Sequence, residues 1–144
     1  MLRVVLDTNV FVSSLLSTQG LPAQVLNAWR EGRYMLVISP PIIAEIVDVL
    51  ESPRLSKRYF IRPEDIEQLV DLLKTDTIIV PGRAVVKGTV PQDPRDEVFL
   101  ACAVDANADC IVSSDRHLLD LQTYRGIPIL SGKEFAEKLE KQTP

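Results

Sequence analysis

The sequence predicts one α/β domain of three layers, a central parallel sheet of about five strands with helices on both faces. Three observations carry that expectation. Short apolar, β-branched runs alternate with longer stretches whose apolar residues recur at helical spacing. The 144 residues suit a single hydrophobic core. No linker, repeat or low-complexity segment interrupts them, so residues 1–140 read as one domain and 141–144 as a frayed tail.

Leu2 to Leu6 is apolar apart from Arg3 and reads as a buried first strand. Val10 to Leu16 reads as a helix or a short turn of one, broken at Gly20-Leu21-Pro22. Pro22 suits the first turn of a helix through Glu31, with Val25, Leu26 and Trp29 on one face and Gly32 as its stop. Tyr34 to Ile38 is the second strand. Ser39 is placed as the N-cap of a helix that Pro40 and Pro41 open and that runs to about Leu50. Arg54 to Arg62 reads as a basic helix. Pro63 starts another, with Ile66, Leu69, Val70 and Leu73 as its apolar face. Thr77 to Val80 is the third strand, and 81–92 reads as a loop. Pro94 opens a helix through about Ala106 that is apolar on nearly all sides. Cys110 to Ser113 and Ile127 to Leu130 are the fourth and fifth strands, with a short helix between them. Ser131 and Glu134 have capping-box spacing for a last helix through Leu139.

Apolar residues make up 46% and charged residues 25%, the balance of a soluble globular protein. No apolar run approaches the roughly 20 residues that span a bilayer. The first residues are too few and too soon charged for a signal peptide, so a cytoplasmic protein is expected. Cys102 and Cys110 form no Cys-x-x-Cys motif and read as buried free thiols. The single histidine, His117, argues against a zinc centre built on imidazole. A net charge of −4 runs against nucleic-acid binding at first sight. Four carboxylates account for all of it, and if those four hold metal the objection lapses.

The four are Asp7, Glu45, Asp96 and Asp115. Asp7 and Asp115 end strand-like runs, Asp96 opens the apolar helix, and Glu45 flanks the apolar stripe of its own helix between Ile42 and Val49. In a parallel α/β domain, strand ends and the helix starts that follow gather at one sheet edge. Four acids there repel one another unless a positive group joins them, and a hard divalent cation with oxygen ligands suits the role. Each acid also has an ordinary explanation. Asp7 and Asp115 sit where N-caps and turns occur, Asp96 falls at N3 behind Asp93 and Pro94, and Glu45 lies at a helix rim whose head reaches water. Asn9, Ser113 and Ser114 are candidates to orient the carboxylates from behind.

The order of the motifs is more telling than any one acid. It comprises Val4-Val5-Leu6-Asp7-Thr8-Asn9, then Ser39-Pro40 with Ile43-Ala44-Glu45-Ile46. Next come Asp93-Pro94-Arg95-Asp96-Glu97-Val98-Phe99-Leu100-Ala101 and Ala108-Asp109-Cys110-Ile111-Val112-Ser113-Ser114-Asp115. This pattern resembles the PIN domain, in particular its bacterial and archaeal VapC-like toxin group, from the first strand to about Ile129. The resemblance implies a sheet with the first strand central. It also implies a metal-dependent ribonuclease using Mg2+ or Mn2+, with Asp7, Glu45, Asp96 and Asp115 as the catalytic, metal-holding quartet. Asp93 is an extra acid that would contribute through water, and Ser113 stands where relatives often carry threonine. A toxin–antitoxin pair is implied, with RNA as substrate, an antitoxin protein as partner and a homodimer as assembly.

Metal-assisted hydrolysis predicts 5′-phosphate and 3′-hydroxyl ends. His117 lies two residues after Asp115, but a histidine-driven mechanism wants a second group of similar pKa and the chain has no second histidine. A surface or phosphate-contacting role is expected for it. Arg54, Lys57, Arg58 and Arg62 alternate with Tyr59 and Phe60, which suits an RNA-gripping lip with a stacking ring. The plainer alternative is a solvated helix face with its aromatics turned inward. The competing class is a catalytically weak PIN-like module that binds RNA or protein. No Gly-x-Gly-x-x-Gly or Walker-type loop follows any strand, which counts against a nucleotide-binding domain. Asn9 stands where an aspartyl phosphatase would want a second aspartate.

Overall fold

A computed structural model describes residues 1–86 and 96–142. Its sheet has six strands in the order β3-β2-β1-β4-β6-β5, formed by β1 Arg3–Leu6, β2 Met35–Ile38, β3 Ile78–Ile79, β4 Cys110–Val112, β5 Thr123–Tyr124 and β6 Ile127–Leu130. Five of these run parallel, and β1 lies inside the sheet between β2 and β4. The register sets Leu6 beside Val112, so the two strands end level. The chain moves outward from β1 to β2 and β3, then returns to the other side of β1 as β4. The switch point is therefore the β1–β4 boundary, where open α/β sheets present their ligand crevice.

The helices are α1 Thr8–Leu16, α2 Gly20–Arg30, α3 Pro40–Glu51, α4 Pro53–Arg58, α5 Pro63–Thr75, α6 Glu97–Ala106, α7 Arg116–Leu119 and α8 Gly132–Lys141. α2 packs between α1 and α8, while α6 lies over β1, β2 and β4 and meets α3. α6 is the central helix its sequence predicts: Phe99, Leu100, Ala101, Cys102 and Ala103 are all buried. Val4, Val5, Ile111 and Val112 are also sealed from solvent, as strands covered on both faces must be. Tyr34 precedes β2 rather than opening it, and its buried hydroxyl donates to the Val25 carbonyl at 2.8 Å. Cys102 and Cys110 are buried free thiols, and burial pushes both up to about 12.

Several expectations need correction. β5 is a sixth strand, antiparallel to β6, closed by Arg125 and Gly126 at φ 50° and 82°. Ser39 occupies the N-cap position of α3, but its side chain makes no cap bond. Pro41 removes the N2 amide, one of the two that an N-cap side chain serves. Its hydroxyl is buried against Cys102 instead. The basic segment is not one helix: α4 stops at Arg58, and Arg62 is the N-cap residue of α5. α8 runs two residues past Leu139. Asp93 and the expected helix start at Pro94 lie outside the described residues.

Candidate active site

Asp7, Glu45, Asp96 and Asp115 line one cavity of about 170 Å3, together with Thr8, Asn9, Val49 and Phe99. The elements explain the convergence. β1 delivers Asp7 and β4 delivers Asp115 at the carboxyl edge of the sheet. α3 starts at that edge after β2 and turns Glu45 and Val49 inward. Asp96 precedes α6, whose first turn adds Phe99. Larger hollows of about 800 and 460 Å3 open beside Met1 and Gly32 at the opposite edge, and each has a single acid in its wall. Size does not locate the site; the acids do.

Asp7 is 3% exposed and accepts three hydrogen bonds. Its Oδ1 takes the Val10 amide at 2.7 Å, and its Oδ2 takes the Ser113 hydroxyl at 2.5 Å and the Ser114 amide at 3.2 Å. Burial raises its carboxyl above the ordinary range, against the lowering effect of these donors, and the nearby Asp115 charge raises it further. Capping and site membership are thus one arrangement, because Asp7 is also the N-cap of α1. Asp115 likewise caps α7 by accepting from the His117 amide at 2.7 Å. Desolvation works to raise the Asp115 carboxyl, but a hydrogen bond with the Asp96 side chain and the His117 amide hold it below the ordinary range. Asp96 stands at the N-cap position of α6 and makes no side-chain cap bond there, and the N3 role expected behind Asp93 lies outside the described residues.

Ser113 reads both acids. Its hydroxyl donates to Asp7 and accepts from the Asp115 amide at 2.9 Å, fixing the β4 end against β1. Ser114 contributes its backbone amide. Asn9 reaches the cavity wall from the first turn of α1. His117 is exposed. Thr8 was not singled out from the sequence. It is 3% exposed, it lines the cavity, and its Oγ1 is buried with no hydrogen-bond partner among the described residues. The signal available was its place between Asp7 and Asn9, where a helix start already accounted for a threonine.

The donor set is all oxygen: four carboxylates and an orphaned hydroxyl. That chemistry suits Mg2+ or Mn2+ rather than a softer ion. No three acids among the described residues are grouped tightly enough to close a shell round one ion. Mg2+ keeps several of its waters and takes one or two carboxylates, so an open acidic cavity fits it. Of the four residues expected to contact substrate, Arg54, Lys57 and Arg58 stand exposed on α4. Arg62 stands apart, bonded to Asp65 at 3.2 Å and near Glu64 at 3.7 Å.

The comparisons with known proteins agree with this architecture. A family model described as PIN domain matches residues 3–117. An uncharacterised protein of Methanocaldococcus jannaschii is 28% identical over 148 residues, covering 97% of this chain and 93% of that protein. VapBC2 from Rickettsia felis, solved bound to a DNA fragment from its promoter, superposes with a TM-score of 0.57 at 14% identity, covering 90% of this chain and 98% of that one. FitAcB from Neisseria gonorrhoeae gives a TM-score of 0.51 at 16% identity, with the same coverage. At those identities the two solved structures speak for the fold.

Proposed function

The chain belongs to the PIN domain family, and on that premise we propose that it is a metal-dependent endoribonuclease, the toxin of a toxin–antitoxin pair. The observation that carries the reading is the single cavity walled by Asp7, Glu45, Asp96 and Asp115. Asp7, Asp96 and Asp115 would hold Mg2+ or Mn2+, with Glu45 helping directly or through water. The bound ion would supply a nucleophile at neutral pH and stabilise charge on the scissile phosphate. The protein's own residues do the positioning. Ser113 and the Val10 and Ser114 amides fix both oxygens of Asp7, and the His117 amide fixes Asp115. A carboxylate that cannot rotate holds its ligand in one place, which is how supporting donors improve metal affinity.

An antitoxin protein as partner is supported by the fold shared with VapBC2 and FitAcB. A homodimer and a cytoplasmic location belong to the same proposal. Among the described residues, no helix is long and apolar enough to cross a membrane. One observation favours the second reading, a catalytically weak binding module: the acids do not form a ready-made shell.

The test is to incubate the purified protein with single-stranded and structured RNA and map the product ends. The proposal expects 5′-phosphate and 3′-hydroxyl ends formed only with Mg2+ or Mn2+. Ends carrying a 2′,3′-cyclic phosphate would contradict it, because they require attack by the RNA's own 2′-hydroxyl.

A further inference from the structure

α4 is a short helix with two unlike faces. Leu55 packs inward against the core, while Arg54, Lys57 and Arg58 stand exposed at positions three and four apart. Among the described residues none of the three is paired with an acid. They form a local basic face on a chain of net charge −4.

The helix ends in an unusual way. The Ile61 amide donates to the Ser56 carbonyl at 2.9 Å, the six-to-one bond of a Schellman stop. That motif places its first residue past the cap in the left-handed region, where glycine is the ordinary occupant. Here the position holds Phe60, at φ 54°, and the residue is 85% exposed. Neither backbone conformation nor core packing calls for phenylalanine there. Arg58 lies over the neighbouring Tyr59 ring at 5.5 Å, so a cation and two exposed aromatic residues share the helix end.

The place in the fold gives these groups a use. α3 sends Glu45 and Val49 into the acidic cavity and passes through Ser52 directly into α4, which packs against it. From Val49 to Arg54 the chain spans at most roughly 18 Å. The basic face therefore lies within reach of a strand whose scissile phosphate sits at the acids.

We propose that α4 and its turn form a single-strand RNA lip, in which Arg54, Lys57 and Arg58 take the phosphates and Phe60 stacks on an unpaired base. This rests on the ribonuclease reading and narrows its substrate to unpaired RNA. A duplex offers no free base face to Phe60, whereas every unpaired base has one. In a two-fold dimer this face would meet its own copy, cation against cation, so RNA is the favoured occupant. Arg62 is engaged by Asp65 and is not counted in the lip.

The experiment is fluorescence anisotropy in EDTA, so that binding is read without cleavage. Its probes are a labelled 12-nucleotide RNA and its duplex, titrated over a range of salt. The wild type is expected to prefer the single strand. Phe60→Ala should weaken that binding on the order of 10-fold with the salt slope unchanged. Lys57→Ala with Arg58→Ala should lower the slope by roughly 1.4, the value for two phosphate contacts on a single strand. Phe60→Gly separates binding from folding: glycine suits the left-handed backbone, so thermal stability should hold or rise while RNA binding falls. Phe60→Trp should restore binding. Equal affinity for duplex and single strand, or unchanged binding by Phe60→Ala, overturns the lip. So does a shift of Phe60→Ala from dimer to monomer in sedimentation, which would assign the ring to a second copy. Cleavage with Mn2+ by a protein whose lip variants bind normally would leave the ribonuclease reading intact. Absence of both cleavage and binding in the wild type would remove both.

Discussion

Asp7 combines three hydrogen-bond donors with near-complete burial, and the two act in opposite directions on its charge. Burial prevails, and the carboxyl is raised in the fold. Between its unfolded value of about 3.9 and that raised value, the folded chain binds the proton and the unfolded chain does not. The metal-free fold therefore loses stability as pH rises through this window, and above it the loss is complete. Asp7→Asn has no such titration. In EDTA, the variant should gain on the wild type as pH rises above about 4, measured by denaturant unfolding; a gap independent of pH would show that the buried carboxyl is not destabilising. Ser113 is the other residue-level test. Ser113→Ala removes the donor to Asp7 and the acceptor of the Asp115 amide, and should weaken Mn2+ affinity roughly 10- to 100-fold in calorimetry. His117 contributes its amide, so His117→Ala should leave metal-dependent cleavage largely intact, and loss of cleavage would restore it as a catalyst.

At the scale of elements, the start of α3 depends on a loop glycine. Gly82 has φ 71°, and a Cβ there would sit 2.9 Å from the Ser39 Cβ. Gly82→Ala should cost at least about 1–2 kcal/mol from the left-handed backbone alone. Because Ser39 begins the helix that carries Glu45, the same change should weaken metal binding; an unchanged denaturation midpoint would contradict the contact. The elements also show where the sequence was readable. The β-branched runs of β1, β2 and β4 and the apolar helix α6 stand out because burial on all sides leaves no polar residues to blur the pattern. β5 was not readable: Thr123-Tyr124 is two residues long, and its turn uses Arg125-Gly126 rather than a strong hairpin pair. The break after Arg58 was hidden because Phe60 takes a conformation that its residue type does not announce. Arg62 looked like part of a basic run because the pairing acid, Asp65, lies beyond it on the next helix.

At the scale of the molecule, Asp7, Asp96 and Asp115 were legible because each lies where an element ends or opens, and parallel topology brings such positions together; Glu45, inside α3, was legible only as an acid at the flank of an apolar stripe. Thr8 and the dual role of Ser113 were not, since side-chain hydrogen bonding depends on the register between β1 and β4, which sequence alone does not set. The assembled cavity links binding to global stability. A divalent ion that binds only the fold should raise stability by about 2.7 kcal/mol at 100 times its dissociation constant. For a domain of this size that corresponds to a rise in Tm of roughly 5–10 °C. The shift should vanish with Asp7→Asn or Asp115→Asn, and a shift kept by both would place the ion elsewhere.

The measurement that bears most directly on the central claim is RNA cleavage by the purified wild type in Mg2+, Mn2+ and EDTA, beside Asp7→Asn and Asp115→Asn. Cutting that needs the metal and disappears in both folded variants is the predicted result. Cutting that persists in EDTA or in either variant would contradict the assignment of these carboxylates, and no cutting by a folded wild type would favour the binding module.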